Sequence, residues 1–307
     1  MATEKKLMKS ENRTRSVLYV PADNRRALDK IIASPDALGA DAVIFDLEDA
    51  VAPQHKKSAR EALRQVLQQK RPACQVLVRI NALSSPWGTE DLLAAMAIAP
   101  DAIVLPKVDG PEQIDELLSA FEASDVPPHV RLWAMIESPL GILNVAAIAQ
   151  RAQADDPRLQ ALLMGLNDLS LASGVPLLPG REAFLPWMMN CQIAARAYGL
   201  LAIDGVFTAL DDEPLYDIEC AQAVRLGFDG KSLIHPKQIA TCNDAFMPSE
   251  RAVLEARSIV RAFADPANQA KGVLRVDGKM VEHLHLRNAQ RVLLQAGLTT
   301  ACGENDS

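Results

Sequence analysis

Cysteine is scarce in this chain and never falls into a motif. The five cysteines (Cys74, Cys191, Cys220, Cys242 and Cys302) are odd in number, widely scattered and form no CxxC pair. That argues against a disulfide framework and a structural zinc, and points to a reduced, cytoplasmic protein. Long apolar runs are also missing. Nothing reaches the ~20 residues that a membrane span requires, and Met1 to Arg13 is polar, without the apolar segment of a signal peptide. Nor is there an excess of positive charge. Lys+Arg number 32 against Asp+Glu 39, a formal charge of −7. That balance argues against general nucleic-acid or membrane-surface binding, although a local basic patch could still hold phosphates. There is no solenoid repeat, no low-complexity tract and no GxGxxG turn after the first candidate strand.

What remains is a rhythm. From Arg15 to about Pro236, a short β-rich apolar run ends in polar residues and an amphipathic stretch follows, again and again. The candidate strands are 17–20, 42–47, 76–80, 102–105, 131–136, 162–164, 201–206 and 231–234, with helical patterns such as 56–69, 111–122, 182–198 and 213–226 between them. Val43-Ile44-Phe45 and Leu132-Trp133-Ala134-Met135-Ile136 are apolar without alternation, as strands covered on both faces should be. Eight such units predict a closed (β/α)8 TIM barrel, and a chain of 307 residues comfortably exceeds the roughly 250 that one needs. A doubly wound open sheet is the competitor. The expected layout is a polar tail over 1–14, a barrel over 15–247 and an extension over 248–307. The extension reads as a helix at about 249–263, a loop at 266–271, a strand at 273–276, the turn Asp277-Gly278 and a last helix near 286–295.

Catalytic groups of a barrel sit where strands end, because those loops face its open mouth. Strand ends here supply Asp46, Glu48 and Asp49, then Arg79 and Asn81, Lys107, Glu137, Asn167 and Asp168, and finally His235. So many ionisable groups at one mouth are hard to justify by folding alone, since buried charge is costly unless paired or bound to metal. Glu137 and Asp168, on neighbouring strand ends, match the way Mg2+ is held by two carboxylates with water and substrate oxygens completing the shell. The alternative is that each caps the following helix or pairs with Arg79 or Lys107. Arg79 can hold a carboxylate or an oxyanion, or pair with Glu48 or Asp49; both can hold at once. Of Asp46, Glu48 and Asp49, one could bind metal through water and another could orient Arg79; the alternative, expected for at least one of them, is an N-cap for the helix starting near Gln54. His235 reads as structural or as supporting the site from behind, His283-x-His285 is too isolated for a metal site, and the cysteines, Cys191 included, lack a basic neighbour in sequence.

These residues carry a resemblance. Arg15-Ser16-Val17-Leu18-Tyr19-Val20-Pro21, Asp46-Leu47-Glu48-Asp49-Ala50-Val51, Val78-Arg79-Ile80-Asn81 with Pro86-Trp87-Gly88, and Leu105-Pro106-Lys107 come first in order. Ile136-Glu137-Ser138 with Gly141-Ile142-Leu143-Asn144, Gly165-Leu166-Asn167-Asp168-Leu169, Gly227-Phe228-Asp229-Gly230-Lys231 with Ile234-His235-Pro236, and Asp277-Gly278-Lys279-Met280-Val281 follow. Together they resemble the citrate lyase β-subunit-like branch of the HpcH/HpaI aldolase family.

The resemblance implies a homo-oligomer (trimer or hexamer), Mg2+, and a coenzyme A thioester as substrate. It implies a lyase that cleaves or forms the C–C bond of a 3-hydroxyacyl-CoA such as citramalyl-, malyl- or citryl-CoA, giving an acyl-CoA and a 2-oxo acid. Glu137 and Asp168 correspond to metal ligands and Arg79 to a catalytic, substrate-facing arginine. Glu48, Asp49, Lys107 and Asn167 support them from behind. Arg25, Arg26 and Lys30 lie where relatives grip CoA phosphates, although Ala22-Asp23-Asn24 departs from the commoner Gly-Ser pattern. Relatives fold the C-terminal segment over a neighbouring subunit's site, where an aspartate acts as acid/base; here Glu282 stands in its place, with Leu284 where a proline is common. The extra methylene shifts a carboxylate by roughly an ångström, and misplacement on that scale costs on the order of 100-fold in rate. The alternatives are a CoA-independent aldolase for pyruvate-type substrates and a catalytically impaired CoA-binding homologue.

Overall fold

The computed structural model describes residues 13–33, 38–153, 157–268 and 271–298. Most of the 1–14 tail and Cys302 therefore lie outside the described residues. Eight parallel strands follow one another around a closed ring: β1 Ser16–Pro21, β2 Ala42–Asp46, β3 Gln75–Arg79, β4 Ala102–Leu105, β5 Arg131–Ile136, β6 Leu159–Met164, β7 Leu201–Asp204 and β8 Gly230–Leu233. The ring closes where β1 pairs with β8, Val17 opposite Ser232. This is the expected TIM barrel. Helices α1 Arg25–Ala33, α2 Lys56–Gln69, α3 Gly88–Ile98, α4 Pro111–Ala123, α5 Pro139–Gln150, α6 Leu166–Ser173, α7 Leu185–Ala197, α8 Glu213–Arg225 and α9 Ile239–Ala245 connect the strands or follow the last one.

Period-two alternation explains the inside of the ring. Val17, Ala42, Ile44, Leu77, Ala102, Val104, Trp133, Met135, Ala161, Leu163 and Ile203 point inward and pack into one cluster, with Tyr19 and Leu201 against it. Trp133 is fully buried there, its Nε1 donating to Gln160 Oε1 at 3.0 Å. Their outward neighbours, such as Val43, Phe45, Val78 and Ile103, are equally buried under the helices. One step further along each strand, the alternation aims Asp46, Arg79, Glu137 and Gly165 inward just above this apolar plug, beside Tyr19. The chemistry sits on the next rung of the same ladder as the core.

Two capping readings change. No acid after β2 caps a helix: the turn before α2 has Ala52 and then His55 at its caps, neither bonding through its side chain. Asp46 instead accepts the N–H groups of Glu48 (2.9 Å) and Ala50 (3.1 Å), which fixes the loop bearing Glu48 and Asp49. Glu137 is not a cap either, because Ser138 caps α5 by accepting from Gly141 N.

The described residues of 16–245 form one compact unit; those from 246 on, with 13–15, form another. Within the second, α10 (Glu250–Ala264), a hairpin of β9 (Val273–Val276) and β10 (Lys279–Glu282), and α11 (His283–Gln295) bury a small core around Ile259, Val260, Leu274, Val281 and Leu293. The hairpin turns through Asp277 (φ 46°) and Gly278 (φ 81°), the two left-handed residues that match the strand twist. The last helix begins at His283, three residues before the sequence pattern suggested, because His285 Nδ1 accepts the Glu282 N–H at 3.0 Å and closes its first turn. His285 thus serves the backbone.

Candidate active site

Arg79 is the centre of the barrel mouth. It is 8% exposed, yet its charge is met on every side. Nε and Nη2 donate to the two oxygens of Asp46 at 2.7 and 2.6 Å, a bidentate fork. Nη1 lies 3.0 Å from Glu48 Oε2. The guanidinium also stands 4.8 Å from the centroid of the Tyr19 ring, and Met135 Sδ accepts from Nη1 at 3.8 Å and from the Tyr19 hydroxyl at 3.6 Å. The sequence offered Glu48 or Asp49 as the ion-pair partner and one of Asp46, Glu48 and Asp49 to orient the arginine. Asp46 is the stronger one, and Asp49 turns to Lys107 instead, 3.7 Å away.

Glu137 is 2% exposed. Its Oε1 accepts the backbone N–H of Lys107 at 2.7 Å. Lys107 makes that bond from a left-handed backbone (φ 54°), which costs a non-glycine residue about 1–2 kcal/mol. Burial pushes the Glu137 carboxyl up from an ordinary 4.5 to about 8, and the negative charges of Glu48 and Asp168 push the same way. Gly165 is needed for this packing: a Cβ there would overlap the Glu137 Cβ and Oε2. Asp168 sits half-buried in the first turn of α6, with no hydrogen bond or ion pair to its carboxylate among the described residues.

Glu48 is nearly buried, and burial raises its pKa against the pull of Arg79 and Lys107. Lys107 Nζ donates to Oε1 at 2.7 Å, while Oε2 has no hydrogen bond despite its nearness to Arg79. Behind the loop, Lys56 Nζ donates to the carbonyls of Leu47 and Glu48 (both 2.8 Å) and to Asn81 Oδ1 (2.9 Å). Five carboxyl groups (Asp46, Glu48, Asp49, Glu137, Asp168) thus share the mouth with two cations, Arg79 and Lys107. That imbalance, the raised Glu137 and the orphaned Glu48 oxygen fit a hard divalent cation held by Glu137 and Asp168. No cluster of three or more His, Cys, Asp or Glu suited to a metal occurs among the described residues, so water and substrate would have to fill the other positions.

A cavity of about 370 Å3 opens over this cluster, lined by Tyr19, Asp46, Asp49, Arg79, Met135, Gly165, Asn167 and Asp168 among others. A second cavity of about 440 Å3 shares Tyr19, Pro21 and Ile234 with it and continues past Asn24, Ala27, Lys30 and His235. Of the three basic residues of α1, Lys30 lines this second cavity, and Arg25 and Arg26 are exposed, Arg25 paired with Asp29 at 3.1 Å. His235 caps the turn after β8, accepting from Lys237 N at 3.1 Å. Glu282 lies exposed at the end of β10, in the other unit.

Sequence reasoning passed over Tyr19, Gly165 and Lys56. The period of two marks Tyr19 and Gly165 as inward; nothing in the sequence signals Lys56. Cys220, which has no basic neighbour in sequence, is hydrogen-bonded to Cys242 and near Lys231 in space, both lowering its pKa against burial. The thiol is fully buried, and so is Cys191, whose pKa burial drives up to about 12. Beside Cys220, Arg181 and Lys231 close on Asp204 at 2.8 Å each, an ion cluster that ties β7 and β8 to α8 and lies outside the cavity.

The fold and this mouth together define a (β/α)8-barrel protein with an acid-rich, arginine-centred site. A family model described as HpcH/HpaI aldolase/citrate lyase matches residues 15–236, and the chain belongs to that family. It is 39% identical to a (3S)-malyl-CoA thioesterase of Cereibacter sphaeroides, over 94% of this chain and 96% of the relative. It is 34% identical to a citrate lyase subunit beta of Escherichia coli, over 95% and 97%. Among solved structures, protein CitE from Mycobacterium tuberculosis in complex with magnesium, acetoacetate and coenzyme A aligns with a TM-score of 0.68 at 29% identity, covering 94% of this chain and 99% of that one.

Proposed function

We propose that this chain is a Mg2+-dependent lyase acting on a 3-hydroxyacyl-CoA thioester. The observation that carries the reading is the buried Glu137, raised to about 8 next to Asp168 and Glu48 in a mouth centred on Arg79. The relatives' names, a malyl-CoA thioesterase and a citrate lyase subunit, and the magnesium and coenzyme A of the aligned structure support it. Mg2+ held by Glu137 and Asp168 would act as a Lewis acid toward the substrate's hydroxyl and carboxylate oxygens. Arg79, oriented by Asp46, stabilises the oxygen charge that develops as the bond breaks. Glu282 of a neighbouring copy takes the hydroxyl proton. The bond between the carbinol carbon and the thioester α-carbon breaks, its electron pair stays on the α-carbon as an enolate, and protonation there gives the acyl-CoA beside a 2-oxo acid. The second cavity takes the pantetheine arm, with Lys30, Arg25 and Arg26 toward the phosphates.

A homo-oligomer, trimeric or hexameric, completes the proposal. Its support is the exposed apolar side chains Leu143, Leu171 and Ile193 on α5, α6 and α7, 79%, 84% and 63% exposed. The free thiols fit a cytoplasmic setting, and no helix of the described residues is long and apolar enough to cross a membrane.

The test is to incubate the protein with Mg2+ and malyl- or citramalyl-CoA and measure acetyl-CoA and 2-oxo acid. Wild type should release both in equal amounts, and a Glu137→Ala/Asp168→Ala double variant should neither bind Mg2+ nor turn over. Free CoA without a 2-oxo acid would move the assignment to thioester hydrolysis. Turnover in the double variant would refute the metal assignment.

A further inference from the structure

The cavity's charges also bear on which thioester it takes, an inference that rests on the lyase reading above. Candidate substrates differ in one substituent on the carbinol carbon: hydrogen, methyl or a carboxymethyl arm. The last adds a second carboxylate, which needs a cation of its own. Among the described residues lining the 370 Å3 cavity, Arg79 is the sole cation, against three acids, Asp46, Asp49 and Asp168. Two of its three nitrogens are committed to Asp46 and the third lies against Glu48 and Met135. Lys107 is not on the cavity wall and donates to Glu48. The Ser232 hydroxyl is likewise engaged, donating to the Asp204 carbonyl at 3.0 Å. Much of the remaining wall is apolar, with Met164, Leu166, Val206 and Ile234.

We propose that the site selects a carbinol carbon bearing hydrogen or methyl and rejects the carboxymethyl arm, so that it releases a monoanionic 2-oxo acid (glyoxylate or pyruvate) rather than dianionic oxaloacetate. An unpaired carboxylate beside three acids and an apolar wall is disfavoured on the scale of a broken buried ion pair, on the order of 100-fold or more. A methyl group meets no such penalty.

The experiment uses the full chain with Mg2+ and compares kcat/KM for malyl-, citramalyl- and citryl-CoA, all read as acetyl-CoA release. In parallel, calorimetry measures pyruvate and oxaloacetate binding in the presence of Mg2+. At least one of the first two thioesters should exceed citryl-CoA by about 100-fold, and pyruvate should bind more tightly than oxaloacetate. Val206→Arg supplies the missing cation and should narrow both ratios at least tenfold, to about one-tenth. Ile234→Arg, at a position 39% exposed, does the same where the first variant fails to fold. Citryl-CoA turned over within tenfold of the better of the other two, with oxaloacetate bound as tightly as pyruvate, overturns the inference. No turnover of any thioester with pyruvate still preferred refutes the lyase reading but keeps the selectivity; no turnover and no preference refutes both.

Discussion

Replacing Glu137 by glutamine should make the metal-free protein more stable at alkaline pH while abolishing its chemistry. In the folded state the carboxyl titrates near 8 against an ordinary 4.5, because burial and the charges of Glu48 and Asp168 oppose ionisation. An acid whose folded pKa is raised holds its proton more tightly when folded. The stability that this one group contributes is therefore greatest below about pH 4.5, declines as pH rises toward 8, and is level beyond. At 1.36 kcal/mol per unit, ionised Glu137 carries a penalty on the order of 4 kcal/mol at pH 8. Glutamine keeps the shape and an oxygen to accept the Lys107 N–H, and removes the charge. Allowing half the penalty for imperfect amide contacts, the variant's Tm at pH 8 should exceed the wild type's by roughly 3–6 °C, with the two curves crossing as pH falls and the variant slightly the less stable at pH 5. Thermal scans across that range without metal are the assay, followed by scans with saturating Mg2+. Mg2+ should then raise the wild-type Tm and leave the variant unmoved. A variant equally destabilised at pH 5 and pH 8, or stabilised by Mg2+ as much as wild type, would refute the reasoning.

Gly165→Ala drives a Cβ into Glu137; titration calorimetry should show Mg2+ affinity falling about tenfold or more, and unchanged affinity would remove Glu137 from the ligand set. Asp46→Asn breaks the fork on Arg79. Denaturant unfolding should show a loss of about 2–4 kcal/mol, with kcat reduced on the order of 100-fold or more. Asp204 is pushed up by burial but held below its ordinary 3.8 by Lys231 and Arg181, which outweigh it. The stability it contributes is present above about pH 4 and lost as pH falls through the depressed value, so Lys231→Met should flatten the acid limb of the unfolding profile. Glu282→Asp should change kcat by about 10- to 100-fold with little change in KM; an equal change in both would place Glu282 in binding.

The barrel was legible because each unit repeats a local rule. Apolar runs such as Val43-Ile44-Phe45 require cover on two faces, and polar residues mark where each strand leaves the core. Strand limits for β4, β5 and β9 coincide with the sequence pattern, while α11 starts early because a histidine cap has no counterpart in hydrophobic periodicity. The site was legible as a set of strand-end residues, but not as a set of partnerships. Asp46 prevails over Asp49 as the partner of Arg79 because β2 and β3 pair Asp46 directly with Arg79.

By itself the sequence determined the eight-fold repeat, the apolar plug and which residues share its rim, since alternation and strand ends are local properties of the chain. Only the tertiary structure decided which rim charges neutralise each other, that Glu137 is crowded into holding its proton, that Lys56 props the β2 loop, and that the described residues of the cavity wall offer no second cation. Those depend on distances between residues tens of positions apart, and on how much water burial removes, which no local pattern encodes.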